Sequence, residues 1–415
     1  MRKIKKEKAV LIFAYLDKDR TEEEYIEKEL KSLVTSCGGE AKWIIRQYLD
    51  KYSPKTLIGK GKVEELKDFI QKEEVDLVVF DQELSPSQME HLRKTLEVKV
   101  LDRMALILDI FAIRARTYRS KLEVKLAQLE YRLPRLKGIG IELSRLAGGI
   151  GTRGPGESQL ESDRRSIRQE MTRIKEKLKK VRIQEENASK QRRSSDMKVV
   201  SLLGYTNVGK STILNSFMYE SKKKVYADDL LFATLDVSLR RVEEKGYPAF
   251  LMADTIGFIR DLPKRLEDAF RSTLEEIQYS DLLIYVVDSS HPYYKEQIQN
   301  VLNLTKDVYK DQKRLFLMNK WDKGEVPLIT DPEETMTYSS FDPTCRKLLL
   351  ERITHILYGE EITEEILLPY AKIQLLSYLK NEERLISYVY QEEGIKLTYK
   401  RRKEERSLMN VSLDI

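Results

Sequence analysis

The feature that most constrains the fold is a glycine-rich octapeptide near the middle of the chain. The run Gly204-Tyr-Thr-Asn-Val-Gly-Lys-Ser211 follows the apolar stretch 198–203 and precedes a helix-like run. This is the pattern of a phosphate-binding loop between a strand and a helix, where backbone N–H groups surround the phosphates. Lys210 is the expected catalytic contact to the β- and γ-phosphates, and the Ser211 hydroxyl is the expected Mg²⁺ ligand. The predicted nucleotide-binding residues of this loop are Gly204, Tyr205, Thr206, Asn207, Val208, Gly209, Lys210, Ser211 and Thr212.

Two further signatures follow the loop at the spacing that phosphate chemistry requires. Asp254-Thr255-Ile256-Gly257 ends the strand-like run 249–253. Asp254 can hold the Mg²⁺ shell, and the Gly257 N–H is the second expected catalytic group, because it can bind the γ-phosphate. Between the two motifs stands Phe232-Ala233-Thr234, in which Thr234 is the expected second Mg²⁺ ligand.

A fourth motif selects the base. Asn319-Lys320-Trp-Asp322 follows the strand-like run 315–318. The Asp322 carboxylate accepts hydrogen bonds only, so it suits the N1–H and 2-amino donors of guanine and leaves adenine unpaired. Ser339 and Ser340, after the strand-like run 336–338, could read the guanine O6 through backbone N–H groups. The sequence therefore predicts a GTP site with Mg²⁺ as cofactor.

Phe258 follows Gly257, where a water-orienting glutamine would be expected. A phenyl ring cannot hydrogen-bond the attacking water. We therefore predict slow intrinsic GTP hydrolysis, with the missing group supplied by another segment or by a partner.

The chain around these motifs divides into four parts. Residues 1–110 alternate strand-like and helix-like runs, which predicts an N-terminal α/β domain. Residues 111–196 carry two apolar seams at helical spacing, on either side of the stretch 138–156, in which seven of nineteen residues are glycine. We predict a long antiparallel helical hairpin with a glycine-rich loop, although two separate core helices would give the same seams. Residues 197–357 are predicted to form a Ras-like P-loop GTPase domain, and 358–415 a small C-terminal α+β unit. The predicted fold class is α/β.

Basic residues concentrate before the nucleotide motifs. The overall charge is only +6, yet residues 111–156 hold ten Lys and Arg against three Glu. Such a segment suits an RNA backbone, although a solvated basic face is the commoner meaning of a charge run. The RNA-contact candidates are Arg114, Arg116, Arg119, Arg145 and Arg153.

Little else in the composition points to chemistry. Cys37 and Cys345 stand far apart, without metal-ligand spacing, which favours a reducing cytoplasm. No apolar run approaches the ~18 residues that span a bilayer. We expect a cytoplasmic monomer.

The sequence also resembles a known family. Phe232-Ala-Thr-Leu-Asp, Asp254-Thr-Ile-Gly-Phe258 and the run 148–165 (GGIGTRGPGESQLESDRR) resemble the HflX family of translation-associated GTPases. Residues 58–66, 84–88 and 102–116 are similar to the same family. Met104 and Ser339-Ser340 depart from its pattern.

The resemblance implies a GTPase that binds the large ribosomal subunit and its rRNA and, with GTP, separates stalled ribosomes. Two alternatives stay open: a GTP-regulated RNA-binding or ribosome-assembly module, and an antibiotic-resistance paralogue that acts on the ribosome. The run Gly59-Lys-Gly-Lys62 is open as well, since it could be the polar start of a helix or a second phosphate site, as described for ATP in some family members.

Overall fold

The computed structural model describes residues 6–16, 22–136, 155–193, 197–218, 231–232, 238–255, 257–260, 277–306, 309, 312–323, 334–340, 342–405 and 407. Within the helix 155–193, side chains are described from 160 to 184. These residues belong to two compact units. The first comprises Met1–Ala188, Asp228–Asp236 and Asp261–Phe270, and the second comprises Ser189–Ala227, Val237–Arg260 and Arg271–Ile415.

The first unit opens with a four-stranded parallel sheet. Its strands are β1 (Lys8–Tyr15), β2 (Glu40–Tyr48), β3 (Leu77–Phe80) and β4 (Lys99–Asp102). Its helices are α1 (Glu23–Ser36), α2 (Lys60–Glu73), α3 (Pro86–Leu96) and α4 (Arg103–Arg114). The strand order is β2-β1-β3-β4, and every pairing is parallel. The alternation predicted for the N-terminal part is confirmed.

Local sequence explains where these helices begin. Ser85 and Gln88 form a reciprocal capping box at α3, with Pro86 at its first position. Asp102 accepts from the Ala105 N–H at 2.8 Å and so starts α4 directly after β4. Helix α4 runs through residue 110, where the sequence pattern had placed a domain boundary, and ends at Arg114.

Charged groups in the core of this unit are paired. Arg103 contacts Glu29 at 2.6 Å and Asp81 at 2.9 Å, and all three side chains are buried. Asp102 also accepts from the Tyr131 hydroxyl at 2.8 Å, which fixes the next helix against the end of β4. Because an unpaired buried charge is costly, these pairings specify how α1, α4 and the next helix pack.

Two long helices follow the sheet. They are α5 (Tyr118–Arg135) and α6 (Pro155–Arg193). The ion pairs Lys125–Glu170 and Glu130–Lys175 join them at 3.8 and 3.2 Å. Residues 137–154 of the predicted glycine-rich loop lie outside the described residues. Within the described chain, neither of these helices nor any other is long and apolar enough to cross a membrane.

The second unit contains a six-stranded sheet. Its strands are β5 (Val199–Gly204), β6 (Ser238–Val242), β7 (Phe250–Asp254), β8 (Leu282–Asp288), β9 (Lys313–Asn319) and β10 (Thr335–Tyr338). Its helices are α7 (Lys210–Ser216), α8 (Tyr294–Thr305) and α9 (Pro343–Tyr358). The order is β10-β9-β8-β5-β7-β6, parallel except for β6. The nearly unbroken apolar runs of β5 and β8 suit strands covered on both faces.

A small antiparallel sheet closes the chain. It consists of β11 (Glu361–Leu368), β12 (Leu385–Gln391) and β13 (Gly394–Arg402), in the order β11-β13-β12. Helix α10 (Gln374–Asn381) packs on it through Leu375, Leu376 and Leu379. The predicted α+β character is confirmed. Strand β11 alternates exposed and half-buried residues, and its Glu364 pairs with Arg401.

Candidate functional site

The nucleotide motifs meet at one edge of the six-stranded sheet. Strands β5, β7 and β9 end at Gly204, Asp254 and Asn319. These strands are parallel, and β8 lies between β5 and β9. Their carboxyl ends therefore share one edge, which is where open α/β sheets bind ligands.

Two glycines of the loop 204–211 have no room for a side chain. Gly204 has φ +151°, and a Cβ there would lie 2.2 Å from the Val286 carbonyl oxygen. Gly209 has φ +99°, and a Cβ there would lie 2.4 Å from Asn319 Nδ2. The backbone of the loop is therefore packed directly against β8 and the base motif.

Lys210 is buried inside the loop. Its ammonium donates to the carbonyl oxygens of Gly204 at 3.0 Å and Tyr205 at 2.7 Å. Burial lowers the pKa of Lys210 from 10.5 to about 8, and the nearby Asp254 carboxylate opposes that shift. A phosphate at this place would add negative charge and favour the ammonium form.

The side chains expected to hold Mg²⁺ adjoin each other. The Ser211 hydroxyl donates to Asp254 Oδ2 at 2.6 Å, and Asp254 is fully buried. A hydroxyl and a carboxylate are hard oxygen ligands of the kind that Mg²⁺ prefers. These two residues therefore fit a magnesium ion bound between the loop and the end of β7.

The segment with Gly257 is hydrogen-bonded to the loop. The Thr206 N–H donates to the Phe258 carbonyl at 2.7 Å, and the Phe258 N–H donates to the Gly204 carbonyl at 3.1 Å. A Cβ on Gly257 would lie 2.7 Å from Thr206 Cγ2, so only glycine fits. The Phe258 side chain is 3% exposed and belongs to the core.

The base motif also contacts the loop. Asn319 Nδ2 donates to the Val208 carbonyl at 2.7 Å. Lys320 donates to the Asn207 carbonyl at 2.9 Å and to Asp288 Oδ2 at 2.6 Å. Asp288 was not predicted from the sequence, although its place at the end of β8, beside Asn319, could have suggested it.

Asp322 presents an open carboxylate. It is exposed and accepts no hydrogen bond from any described residue. Ser339 is buried after β10, and Ser340 lies half-buried in the turn that follows. Thr255 is buried and donates to the Leu202 carbonyl, a structural contact behind the site.

The structure does not describe all of the predicted site residues. Ala233, Thr234, Ile256, Arg145 and Arg153 are outside the described residues. The Phe232 ring packs edge-on against Phe111 of α4, with 4.6 Å between ring centroids.

The basic candidates are partly engaged within the protein. Arg119 bonds Glu123 at 3.0 Å, Arg114 is half-buried, and Arg116 is exposed. Helix α6 adds basic side chains that the sequence reasoning had not singled out. Its exposed basic residues are Arg165, Arg168, Arg173, Lys175, Lys177, Lys179, Lys180 and Arg182.

Three family models match consecutive parts of the chain. They are described as GTP-binding GTPase N-terminal, over residues 24–112, GTP-binding GTPase Middle Region, over 114–192, and 50S ribosome-binding GTPase, over 199–320. Together they cover most of the chain.

Relatives named GTPase HflX match along nearly the whole length. GTPase HflX of Caldanaerobacter subterraneus subsp. tengcongensis is 40% identical over 94% of this chain and 90% of its own. GTPase HflX of Escherichia coli K12 is 38% identical over 94% of this chain and 89% of its own. Among solved structures, SsGBP in complex with GDP aligns with a TM-score of 0.50 and 23% identity, over 84% of this chain and 98% of that one. The last likeness concerns the fold alone.

Proposed function

Because this chain belongs to the HflX family of GTPases, we propose that it binds the large ribosomal subunit and uses GTP binding and hydrolysis to dissociate stalled ribosomes. One observation carries the proposal. The predicted magnesium and guanine motifs both contact the phosphate loop 204–211, through Asp254 and Asn319, in a chain whose GTPase segment matches a 50S ribosome-binding model. We place the protein in the cytoplasm, where its ribosomal substrate is found.

The loop supplies the phosphate contacts. Lys210 would exchange its two carbonyl acceptors for the β- and γ-phosphates, and the buried position makes that charge pairing strong. The Gly257 N–H would donate to the γ-phosphate. Asp322 would accept from guanine N1–H and the 2-amino group, with Asn319 and Lys320 holding the base motif against the loop.

Ser211 and Thr234 would bind the magnesium ion directly, with Asp254 in its shell. When bound, the ion would neutralise charge that develops on the β- and γ-phosphate oxygens.

Intrinsic hydrolysis should be slow. The Phe258 side chain is buried and its backbone is paired with the loop, so this position offers the attacking water no hydrogen bond. Ribosome binding would supply or place the missing group, so the ribosome should accelerate hydrolysis.

The basic helices would provide the RNA surface. Exposed Lys and Arg side chains on α6 and Arg116 before α5 can neutralise rRNA phosphates and release counterions.

Sedimentation of 70S ribosomes tests the proposal. Ribosomes incubated with the protein and GTP should shift toward free subunits, whereas GDP should leave them intact. Binding without dissociation would overturn ribosome splitting and favour the GTP-regulated binding module.

Charge reversal tests the RNA surface. Lys179→Glu with Lys180→Glu on α6 should weaken ribosome binding about tenfold or more at low salt and flatten its salt dependence. The matched control is Lys31→Glu with Lys72→Glu, which changes the net charge equally on exposed lysines of α1 and α2. Equal weakening by both pairs would show a general charge effect and refute a specific α6 surface.

A further inference from the structure

A carboxylate at the end of a buried strand adjoins the motif that we propose for base recognition. Strand β8 ends at Asp288, which lies in the sheet beside Asn319, the first residue of that motif. The Asp288 carboxylate accepts from the Lys320 ammonium at 2.6 Å, and the two side chains are 15% and 26% exposed. Asp288 lies outside the four sequence motifs, and no step of the proposed function involves it.

The Asp288 carboxylate is itself held in place. Its Oδ1 accepts from the Ser290 N–H at 3.1 Å and from the Ser290 hydroxyl at 2.6 Å, while Oδ2 accepts from Lys320. The next residue, Ser289, donates from its N–H and from its hydroxyl to the Asn319 carbonyl, at 2.9 and 2.8 Å. The turn after β8 therefore bonds both the main chain and a side chain of the base motif.

The backbone of Lys320 is in an unusual conformation. Its φ of +60° lies in the left-handed region, which residues other than glycine rarely adopt. Such a conformation persists where neighbouring contacts enforce it. Here the ammonium is bound at two points, to Asp288 Oδ2 and to the Asn207 carbonyl at 2.9 Å. Without the carboxylate, this flexible side chain would keep, among the described residues, only the carbonyl of the exposed Asn207.

The turn that carries Asp322 starts at Lys320. Residues Trp321–Lys323 form a short 3₁₀ turn, and the Lys323 N–H donates to the Lys320 carbonyl at 2.9 Å. Because the Asp322 side chain is exposed, the backbone of this turn sets its place. The direction in which the chain leaves Lys320 therefore determines where the Asp322 carboxylate points.

We propose that Asp288 is a positioning residue for guanine recognition, acting through Lys320 on the turn that presents Asp322. The proposal rests on the assignment of Asp322 to the guanine N1–H and 2-amino group in the proposed function. A carboxylate that accepts from two parallel donors must be placed more accurately than one that accepts from a single donor. Loss of Asp288 should therefore weaken the binding of guanine nucleotides more than that of analogues with one donor fewer.

The experiment compares GDP with inosine diphosphate (IDP) on the full chain without ribosomes. IDP has the N1–H and lacks the 2-amino group, so only GDP can give Asp322 both hydrogen bonds. Both affinities are measured by isothermal titration calorimetry in the presence of Mg²⁺. Asp288→Ala should weaken GDP binding about tenfold and IDP binding about threefold or less, so that the ratio of the two affinities falls about threefold or more.

Two readouts distinguish positioning from a general loss of folding. A variant that merely folds less well would lose both affinities equally and keep their ratio. Single-turnover hydrolysis of saturating GTP should keep its rate within about twofold in Asp288→Ala, because the base contact contributes to binding and not to the reacting phosphate. A lowered ratio together with this rate is the expected result.

Asp281→Ala is the matched control. Asp281 lies just before β8, at the opposite end of the strand, about 23 Å from Asp288. It too accepts from a lysine and from a backbone N–H, Lys198 at 3.0 Å and Val199 at 2.8 Å. It should leave the ratio of GDP to IDP affinity unchanged.

Two further variants test the route through Lys320. Asp288→Asn keeps an oxygen for Ser290 but loses the charge that holds Lys320, so it should lower the ratio part of the way even if Asp288→Ala folds poorly. Adding Asp288→Ala to Lys320→Met should change the ratio by less than about twofold beyond Lys320→Met alone, because the two residues form one contact. Fully additive effects of the two substitutions would overturn the route through Lys320.

Asp322→Ala separates the possible failures. An unchanged ratio in Asp322→Ala would overturn the base assignment on which the proposal rests. A lowered ratio in Asp322→Ala beside an unchanged ratio in both Asp288 variants would overturn the positioning role alone. A ratio lowered equally by Asp281→Ala would show a general effect of removing a carboxylate next to β8 and would also refute that role. None of these results depends on whether ribosomes are dissociated.

Discussion

Replacing Lys210 by methionine should stabilise the protein when nucleotide is removed, although it should abolish GTP hydrolysis. Burial lowers the Lys210 pKa from 10.5 to about 8. At about 1.4 kcal/mol per pH unit, that difference corresponds to about 3 kcal/mol of destabilisation at pH 7. The carbonyls of Gly204 and Tyr205 would lose their donor, at about 1 kcal/mol each. We expect Lys210→Met to raise the free energy of unfolding by about 1–3 kcal/mol.

The stability difference between wild type and Lys210→Met should also change with pH, in a direction that the lowered pKa determines. Between about pH 8 and 10.5, the unfolded state holds a proton on Lys210 that the folded state has released, so stability rises with pH. Below pH 8 both states are protonated, and the penalty is complete. From pH 7 to pH 9, wild-type protein should gain about 1 kcal/mol relative to Lys210→Met. Other groups that titrate between pH 7 and pH 9 affect both proteins equally, so their contributions cancel when the two free energies of unfolding are subtracted.

Urea unfolding can report on the correct part of the molecule. The chain has two tryptophans, Trp43 in the first unit and Trp321 beside Asp322 in the second. A Trp43→Phe background leaves Trp321 as the fluorescent reporter of the unit that contains Lys210. Lys198→Met, which removes a surface ion pair with Asp281, is the control and should show no stabilisation and no such pH effect.

A Lys210→Met protein that is less stable at pH 7, or whose stability difference from wild type is constant between pH 7 and pH 9, would refute the reasoning. Either result would mean that the ammonium is well solvated or fully compensated by its two carbonyl acceptors.

Three further substitutions test the site. Asp322→Asn should exchange guanine for xanthine preference by at least about 10²-fold in kcat/KM, since an amide can donate to the xanthine 2-carbonyl; an unchanged GTP preference would exclude Asp322 from base recognition. Gly257→Ala should slow single-turnover hydrolysis about 10²-fold, because its Cβ meets Thr206 at 2.7 Å; wild-type rates would contradict the close packing. Phe258→Gln should not accelerate hydrolysis and should lower the free energy of unfolding by about 1–3 kcal/mol, as its amide would be buried; faster turnover would show that this side chain can reach water.

The sequence predicted what depends on local spacing. The loop 204–211 and the motifs at Asp254 and Asn319 are short patterns that follow apolar strands, so both their order and their edge of the sheet could be inferred. The alternation of strands and helices predicted for residues 1–110 is also local in origin, because apolar periodicity and capping residues such as Ser85 and Asp102 act over a few positions.

What depends on distant pairing could not be predicted. Phe111 and Phe232 are both apolar residues in unremarkable patterns, and nothing local indicates that they meet. The same holds for Arg103 with Glu29 and for the antiparallel placement of β6 at the sheet edge. Tertiary packing selects these partners from many residues of similar character.

The contacts of Asn319 and Lys320 with the carbonyls of Val208 and Asn207 bear on how such a protein can be re-engineered. A phosphate-binding loop and a base-reading motif can be regarded as separate segments that are exchanged independently. Here the two segments proposed for these roles, 204–211 and 319–322, share two hydrogen bonds and the close approach of Gly209 to Asn319. A chimera that imports a foreign base-reading turn alone would loosen the phosphate loop, so 204–211 and 319–322 should be transplanted together.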